Sequence, residues 1–108
     1  MGEYIIEITH DATDDLKDIH CHLKKHNSAD NAKYVAAQIK QAVNTLTEQP
    51  NRGSYPNELI AAGIKDYREI YFKQYRIVYT VIEQKVVIVL ISDGRRDLNK
   101  ILEERLLK

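Results

Sequence analysis

Four arginines in the second half of the chain, Arg68, Arg76, Arg95 and Arg96, carry the side chains best suited to chemistry. A guanidinium can clamp a phosphate or carboxylate through two parallel hydrogen bonds and can stabilise developing negative charge. Arg68 opens one β-branched, aromatic run, Arg76 lies early in the next, and Arg95 and Arg96 directly follow a third. In strand alternation Arg76 shares a face with Val78 and Thr80, away from Tyr75, Ile77 and Tyr79. The same arginines can instead pair with Asp97, Asp93 or Glu69 and fix a strand-to-helix turn. Tyr67, Tyr71, Tyr75 and Tyr79 recur every four residues, either as an exposed recognition row or as half-buried sheet residues.

Other constellations are weaker. His20, Cys21, His22 and His26 lie close together, and Asp18, His22 and His26 fall on one i, i+4 row. Neutral imidazoles at that spacing can hold zinc, yet a structural site needs four ligands and no second cluster follows. A polar helix face is expected there, with no metal. Cys21 has only Lys17, Lys24 and Lys25 as basic neighbours and no nucleophile motif around it. The four glycines are scattered, so no phosphate loop and no cofactor are expected.

The elements that position these residues follow from periodicity. Glu3 to Thr9 reads as a short opening strand. Thr9 then caps a helix whose Ala12, Leu16, Ile19 and Leu23 form one apolar stripe, with Asp11 and Asp14 near its positive end. Ser28 caps a second helix, with Ala32, Val35, Ala36, Ile39, Val43 and Leu46 on one face, and Pro50 stops it. Residues 50–66 hold Pro50, Asn51, Gly53, Pro56, Asn57 and Gly63 and read as turns. Strands are expected at 67–72, 75–82 and 85–92. The last contains VVIVLI and should be central, covered on both faces. The joints Lys73-Gln74 and Glu83-Gln84 are short enough for hairpins but are poor turn chemistry. Leu98, Ile101, Leu102 and Leu106 restore helical spacing. The expected fold is α+β: an N-terminal strand, a two-helix hairpin packed on a mainly antiparallel four-stranded sheet (βααβββα) and a C-terminal helix.

Bulk properties bound the function. The chain has 108 residues, 44% apolar and 30% charged, enough for one core and one domain, spanning 1–108. No run approaches the roughly 20 apolar residues of a membrane span. The N-terminus lacks a secretory pattern, and a lone cysteine suits a reducing cytoplasm. Net charge is zero, which speaks against non-specific nucleic-acid binding. Residues 1–30 carry seven acidic and three basic side chains, and 65–108 carry ten basic and seven acidic. An acidic and a basic face are possible, as is ordinary solvated surface.

Taken together, Tyr75-Arg76-Ile77-Val78-Tyr79 and Ile91-Ser92-Asp93-Gly94-Arg95-Arg96-Asp97 resemble the C-terminal signature of the RelE/ParE toxins. Ala12, Asp15, Leu16 and Ile19 resemble the start of that family's helical hairpin, and Leu46, Pro50 and Gly53 its exit. The resemblance implies a toxin of a type II toxin–antitoxin system, acting in the cytoplasm, inhibiting growth and serving plasmid stabilisation. RelE-like members cut mRNA on the ribosome with basic residues, whereas ParE-like members poison DNA gyrase by protein–protein contact. A ribonuclease would use Arg76 and Arg96, with Arg68 and Lys73 as further phosphate contacts. Yet Leu102 stands where that branch carries a tyrosine, and Arg68-Glu69-Ile70-Tyr71 lacks its pair of lysines. Losing such groups costs about 10²–10⁴-fold each. Neutral charge and the long hairpin also favour the ParE-like branch. The implied partners are DNA gyrase, or alternatively ribosome and mRNA, and a cognate antitoxin of ribbon-helix-helix type that supplies the operator-binding domain. Direct sequence-specific DNA binding by this chain and membrane binding are not expected. Arg76, Arg95, Arg96, Tyr75 and Leu102 are the expected antitoxin or target contacts, with antitoxin carboxylates meeting the arginines.

Overall fold

The computed structural model describes residues 3–94 and 96–106, so Arg95 lies outside the described residues. The chain runs β1 (Ile5–Ile8), α1 (His10–His26), α2 (Ala29–Asn44), a 3₁₀ turn (Thr45–Thr47), α3 (Asn57–Ala61), β2 (Arg68–Phe72), β3 (Tyr75–Ile82), β4 (Lys85–Asp93) and α4 (Leu98–Leu106). Both expected caps form. The hydroxyl oxygens of Thr9 and Ser28 accept from the amides of Ala12 and Asn31, at 3.1 and 3.0 Å. Each satisfies a first-turn N–H that the helix itself cannot.

The four strands are ordered β1-β4-β3-β2. β4 is parallel to β1 and antiparallel to β3, and β3 is antiparallel to β2. The hairpin joints are made by residues poorly suited to them, with Lys73 and Glu83 at φ of 52° and 55°. Two-residue hairpin turns need a positive φ at their first central residue, and the flanking strands impose it despite the side-chain cost.

Helices cover both faces of the sheet. On one, the α1–α2 hairpin sets Ala12, Val35, Ile39 and Val43 on Ile70, Ile77, Tyr79, Val86, Ile88 and Ile91. On the other, Leu98 and Leu102 of α4 and Leu59 of α3 pack on Val78 and Leu90. Burying each such side chain is worth about 1.5–3 kcal/mol. A bulge reconciles β4 with both layers. Val78 pairs with Leu90 and Tyr79 with Ile88, leaving Val89 as the extra residue. Ile88 and Ile91 can then share one face although they are three positions apart, and Val89 and Leu90 serve the other. This is why VVIVLI is apolar throughout.

One expectation needs correction. Residues 50–66 contain a helix, α3, within the segment read as turns. Pro56 precedes it, and Gly63 ends it at φ 78°. The amide of Ile64 donates to Leu59 O at 2.7 Å and that of Gly63 to Ile60 O at 2.9 Å. This pair of bonds is the Schellman ending, which a glycine in the left-handed region makes easy.

Candidate functional site

Alternation on β3 sends Arg76 to the α3/α4 face of the sheet, with Val78, as its sequence position requires. There it meets two carboxylates. Its Nε donates to Glu69 Oε1 at 2.7 Å, and Nη2 lies 2.6 Å from the same oxygen. Nη1 and Nη2 donate to Glu58 Oε2 and Oε1 at 2.5 and 2.9 Å. Glu69 is held across the β2–β3 ladder, while Glu58 comes from α3. The Tyr71 ring lies 5.9 Å from the guanidinium carbon, and Gly94 leaves room for the Arg76 methylenes. Hydrogen bonds from Arg76 hold the Glu58 carboxyl below its ordinary pKa. Reciprocally, the bonds to Glu58 and then Glu69 push the arginine further above its own. Glu58 and Arg76 are therefore both charged at neutral pH.

Arg96 stands elsewhere. It is exposed and lines a cleft between α1 and the C-terminal end of β4. Asp15, Asp18 and His22 of α1 form one wall, and Tyr75, Ser92 and Asp93 the other. Burial, with Asp93 nearby, raises the Tyr75 phenol above its ordinary pKa, so it stays neutral. A cleft of this composition suits a partner side chain better than a diffuse polyanion, since carboxylates face Arg96.

Arg68 and Lys73, the two further phosphate contacts expected of a ribonuclease, converge on neither place. Arg68 Nη1 donates to Gly53 O at 2.8 Å, and its guanidinium stacks 4.5 Å from the Tyr55 ring centre, so it staples the 51–55 loop to β2. Lys73 sits at the hairpin tip, 5.4 and 5.5 Å from the Tyr34 and Phe72 ring centres. Arg76, Arg96, Arg68 and Lys73 thus occupy four separate environments. The tyrosines do not form a row either. Tyr75 and Tyr79 face the helical hairpin, while Tyr71 points the other way and is exposed. Counting by four across a two-residue turn loses the strand phase.

Three expected contact residues lie inside. Arg76, Tyr75 and Leu102 are 4, 7 and 3% exposed. Leu102 belongs to the core beneath α4, so a partner reaches it only if that helix lifts; Arg76 is enclosed by its carboxylates. Among the described residues, no group of three or more His, Cys, Asp or Glu side chains could hold a metal. The His22 and His26 rings lie 4.6 Å apart, tilted by 42°, on an exposed helix face. No helix among the described residues is long and apolar enough to cross a membrane.

Residues 6–98 match the family described as the ParE toxin of the type II toxin–antitoxin system, parDE. The chain belongs to the ParE toxin family. It is therefore a toxin of the RelE/ParE superfamily, as its YRIVY and ISDGRRD segments suggested. Among solved structures, it resembles the chromosomal ParDE system of P. aeruginosa with a TM-score of 0.72 and 19% identity, covering 84% of this chain and 96% of that one. The RelBE2 toxin–antitoxin complex of Mycobacterium tuberculosis gives 0.60 and 22%, covering 86% and 93%. The isolated RelE toxin of E. coli gives 0.59 and 19%, covering 97% and 99%. At these identities the likeness is one of fold. No curated protein sequence matches the chain.

Within this ParE-family chain two side-chain groupings escaped the sequence. Glu58 carried one signal, its place between Pro56 and Gly63, a short helix's start and stop. The other is a clasp between Asp15 of α1 and Arg105 of α4. Arg105 Nη1 and Nη2 donate to the two oxygens of Asp15 at 2.8 and 2.6 Å. No local pattern relates residues ninety positions apart.

Proposed function

We propose that this toxin acts without cleaving RNA, by protein–protein contact with DNA gyrase in the cytoplasm, and that a cognate antitoxin neutralises it. One observation carries the reading: all three Arg76 nitrogens already donate to Glu58 or Glu69, and Nη2 lies against Glu69 as well. An RNA phosphate would have to displace the Glu58 carboxylate from the arginine's outer edge. Leu102 in place of a tyrosine, and the separation of Arg68, Lys73 and Arg96, support the same reading.

The antitoxin partner is supported by the toxin–antitoxin systems among the structural neighbours. Its docking surface would include Arg96 and the α1 cleft, where an antitoxin carboxylate would pair with the exposed guanidinium. A ribbon-helix-helix domain on the antitoxin would supply operator binding. The alternative, ribosome-dependent mRNA cleavage through Arg76 and Arg96, requires Arg76 to leave both carboxylates.

Purified toxin in a gyrase supercoiling assay decides between them. Inhibited supercoiling with accumulation of cleaved DNA is expected. Unaltered supercoiling at micromolar toxin, together with codon-phased cuts by primer extension on mRNA after expression, would refute the proposal.

A further inference from the structure

We infer that Glu58 is an internal plug: its carboxylate fills a small-oxyanion site formed by the outer edge of Arg76 and keeps that site closed in the free chain. The two carboxylates around Arg76 are not equivalent. Glu69 is built into the ladder, with both neighbouring residues of β2 paired to β3, and its side chain is buried beside the arginine. Glu58 arrives on a five-residue helix, and its side chain is 33% exposed.

Its geometry is that of a bound ligand. Nη1 and Nη2 each address a different Glu58 oxygen, the parallel arrangement with which a guanidinium takes a phosphate or a carboxylate. The arginine is held ready by the Glu69 bond to Nε, the Tyr71 ring and the close packing of Gly94 on its Cγ, 3.4 Å from where a glycine-borne Cβ would stand. An incoming oxyanion would therefore replace Glu58 on a preorganised donor pair.

The plug can leave without unfolding its helix. Leu59 anchors α3 in the core, so rotation of the Glu58 side chain alone opens the edge. A tethered carboxylate acts at an effective concentration on the order of millimolar or more. Dilute free anions consequently do not displace it, and the wild-type chain reads as closed. This holds whichever target the toxin has, so it can fail while the gyrase reading stands.

The test uses inorganic phosphate, with acetate as a second arm, titrated into wild type, Glu58→Ala and Glu58→Gln. The readouts are thermal shift and the ¹⁵N-detected side-chain resonances of Arg76. Phosphate should bind Glu58→Ala at least tenfold more tightly than wild type and move the Arg76 resonances, with Glu58→Gln intermediate. Acetate binding alone would narrow the site to carboxylates and still support a plug. Equal binding by wild type and variants, or Arg76 resonances that do not move, would overturn the inference. If neither variant folds, Glu58 is a structural support and the inference also falls.

Discussion

The Asp15–Arg105 clasp should be a principal tie between the N-terminal helix and the last one. β1 ends at Ile8, opposite Ile88, so β4 runs on for several residues with no strand on that side. Asp15 and Arg105 fill the gap. Asp15 Oδ2 accepts the Ile91 amide at 3.0 Å, and Arg105 Nη1 donates to Val89 O at 2.9 Å. Asp15→Ala would orphan the Ile91 amide, a loss of about 1–3 kcal/mol. It would also leave a guanidinium without its counter-ion. Breaking a fully buried pair costs about 3–5 kcal/mol. With the two side chains 12 and 20% exposed, and with Arg105 free to swing into water, screening reduces that to about 2 kcal/mol. The two losses overlap, so about 3 kcal/mol is expected, or about 12 °C in Tm. Asp15→Asn keeps an acceptor for Ile91 and should lose about half as much. Urea unfolding of Asp15→Asn, Arg105→Gln and the double variant gives the coupling, expected near 1.5 kcal/mol. Amide exchange should show Ile91 protected in wild type and fast in Asp15→Ala. A coupling below about 0.5 kcal/mol, the usual additivity error, or an Ile91 amide indifferent to Asp15, would refute the clasp.

Other outcomes follow from single contacts. Tyr79 donates to Pro50 O at 2.7 Å and accepts from the Gly53 amide at 3.0 Å in a buried site. Tyr79→Phe should therefore cost about 1–3 kcal/mol in urea unfolding, and no loss would mean that water replaces the hydroxyl. Gly63→Ala should destabilise by about 1 kcal/mol although nothing crowds that position, because φ is 78°. Glu83→Gly should be neutral or stabilising in the same assay, since φ there is 55°; the reverse order would show that backbone strain is not the cause. Glu58 has a depressed pKa, so its stabilising contribution is fully present above its ordinary 4.5 and is lost as pH falls below that value. Wild type should lose stability faster than Glu58→Gln as pH falls below 4.5, and parallel curves would contradict the Arg76–Glu58 bond.

Much of the fold was legible because local rules agree with it. The caps at Thr9 and Ser28, the stripes on α1 and α2, and the doubly apolar β4 were all readable from spacing. So was the face on which Arg76 lies, since alternation is a local property. Its enclosure was not, because Glu58 arrives from a helix hidden among turn residues. The Arg96 cleft required knowing that α1 passes over the end of β4. Of the two readings of the tyrosines, the half-buried one holds for Tyr67, Tyr75 and Tyr79, and no row forms because a hairpin resets the phase of a strand. Lys73 and Glu83 are turn residues by force of their strands, and no propensity would nominate them.

The parallel pairing of β1 with β4 sets a schedule for synthesis. Ile5 pairs with Lys85, so the first strand made must wait for nearly the last before the sheet can close. At about 5–20 residues per second, the N-terminal strand spends several seconds without its partner while the hairpin helices form locally. Ile5 and Ile8 remain uncovered on the outermost strand of the finished sheet, and during that interval the strand's inner edge is open as well.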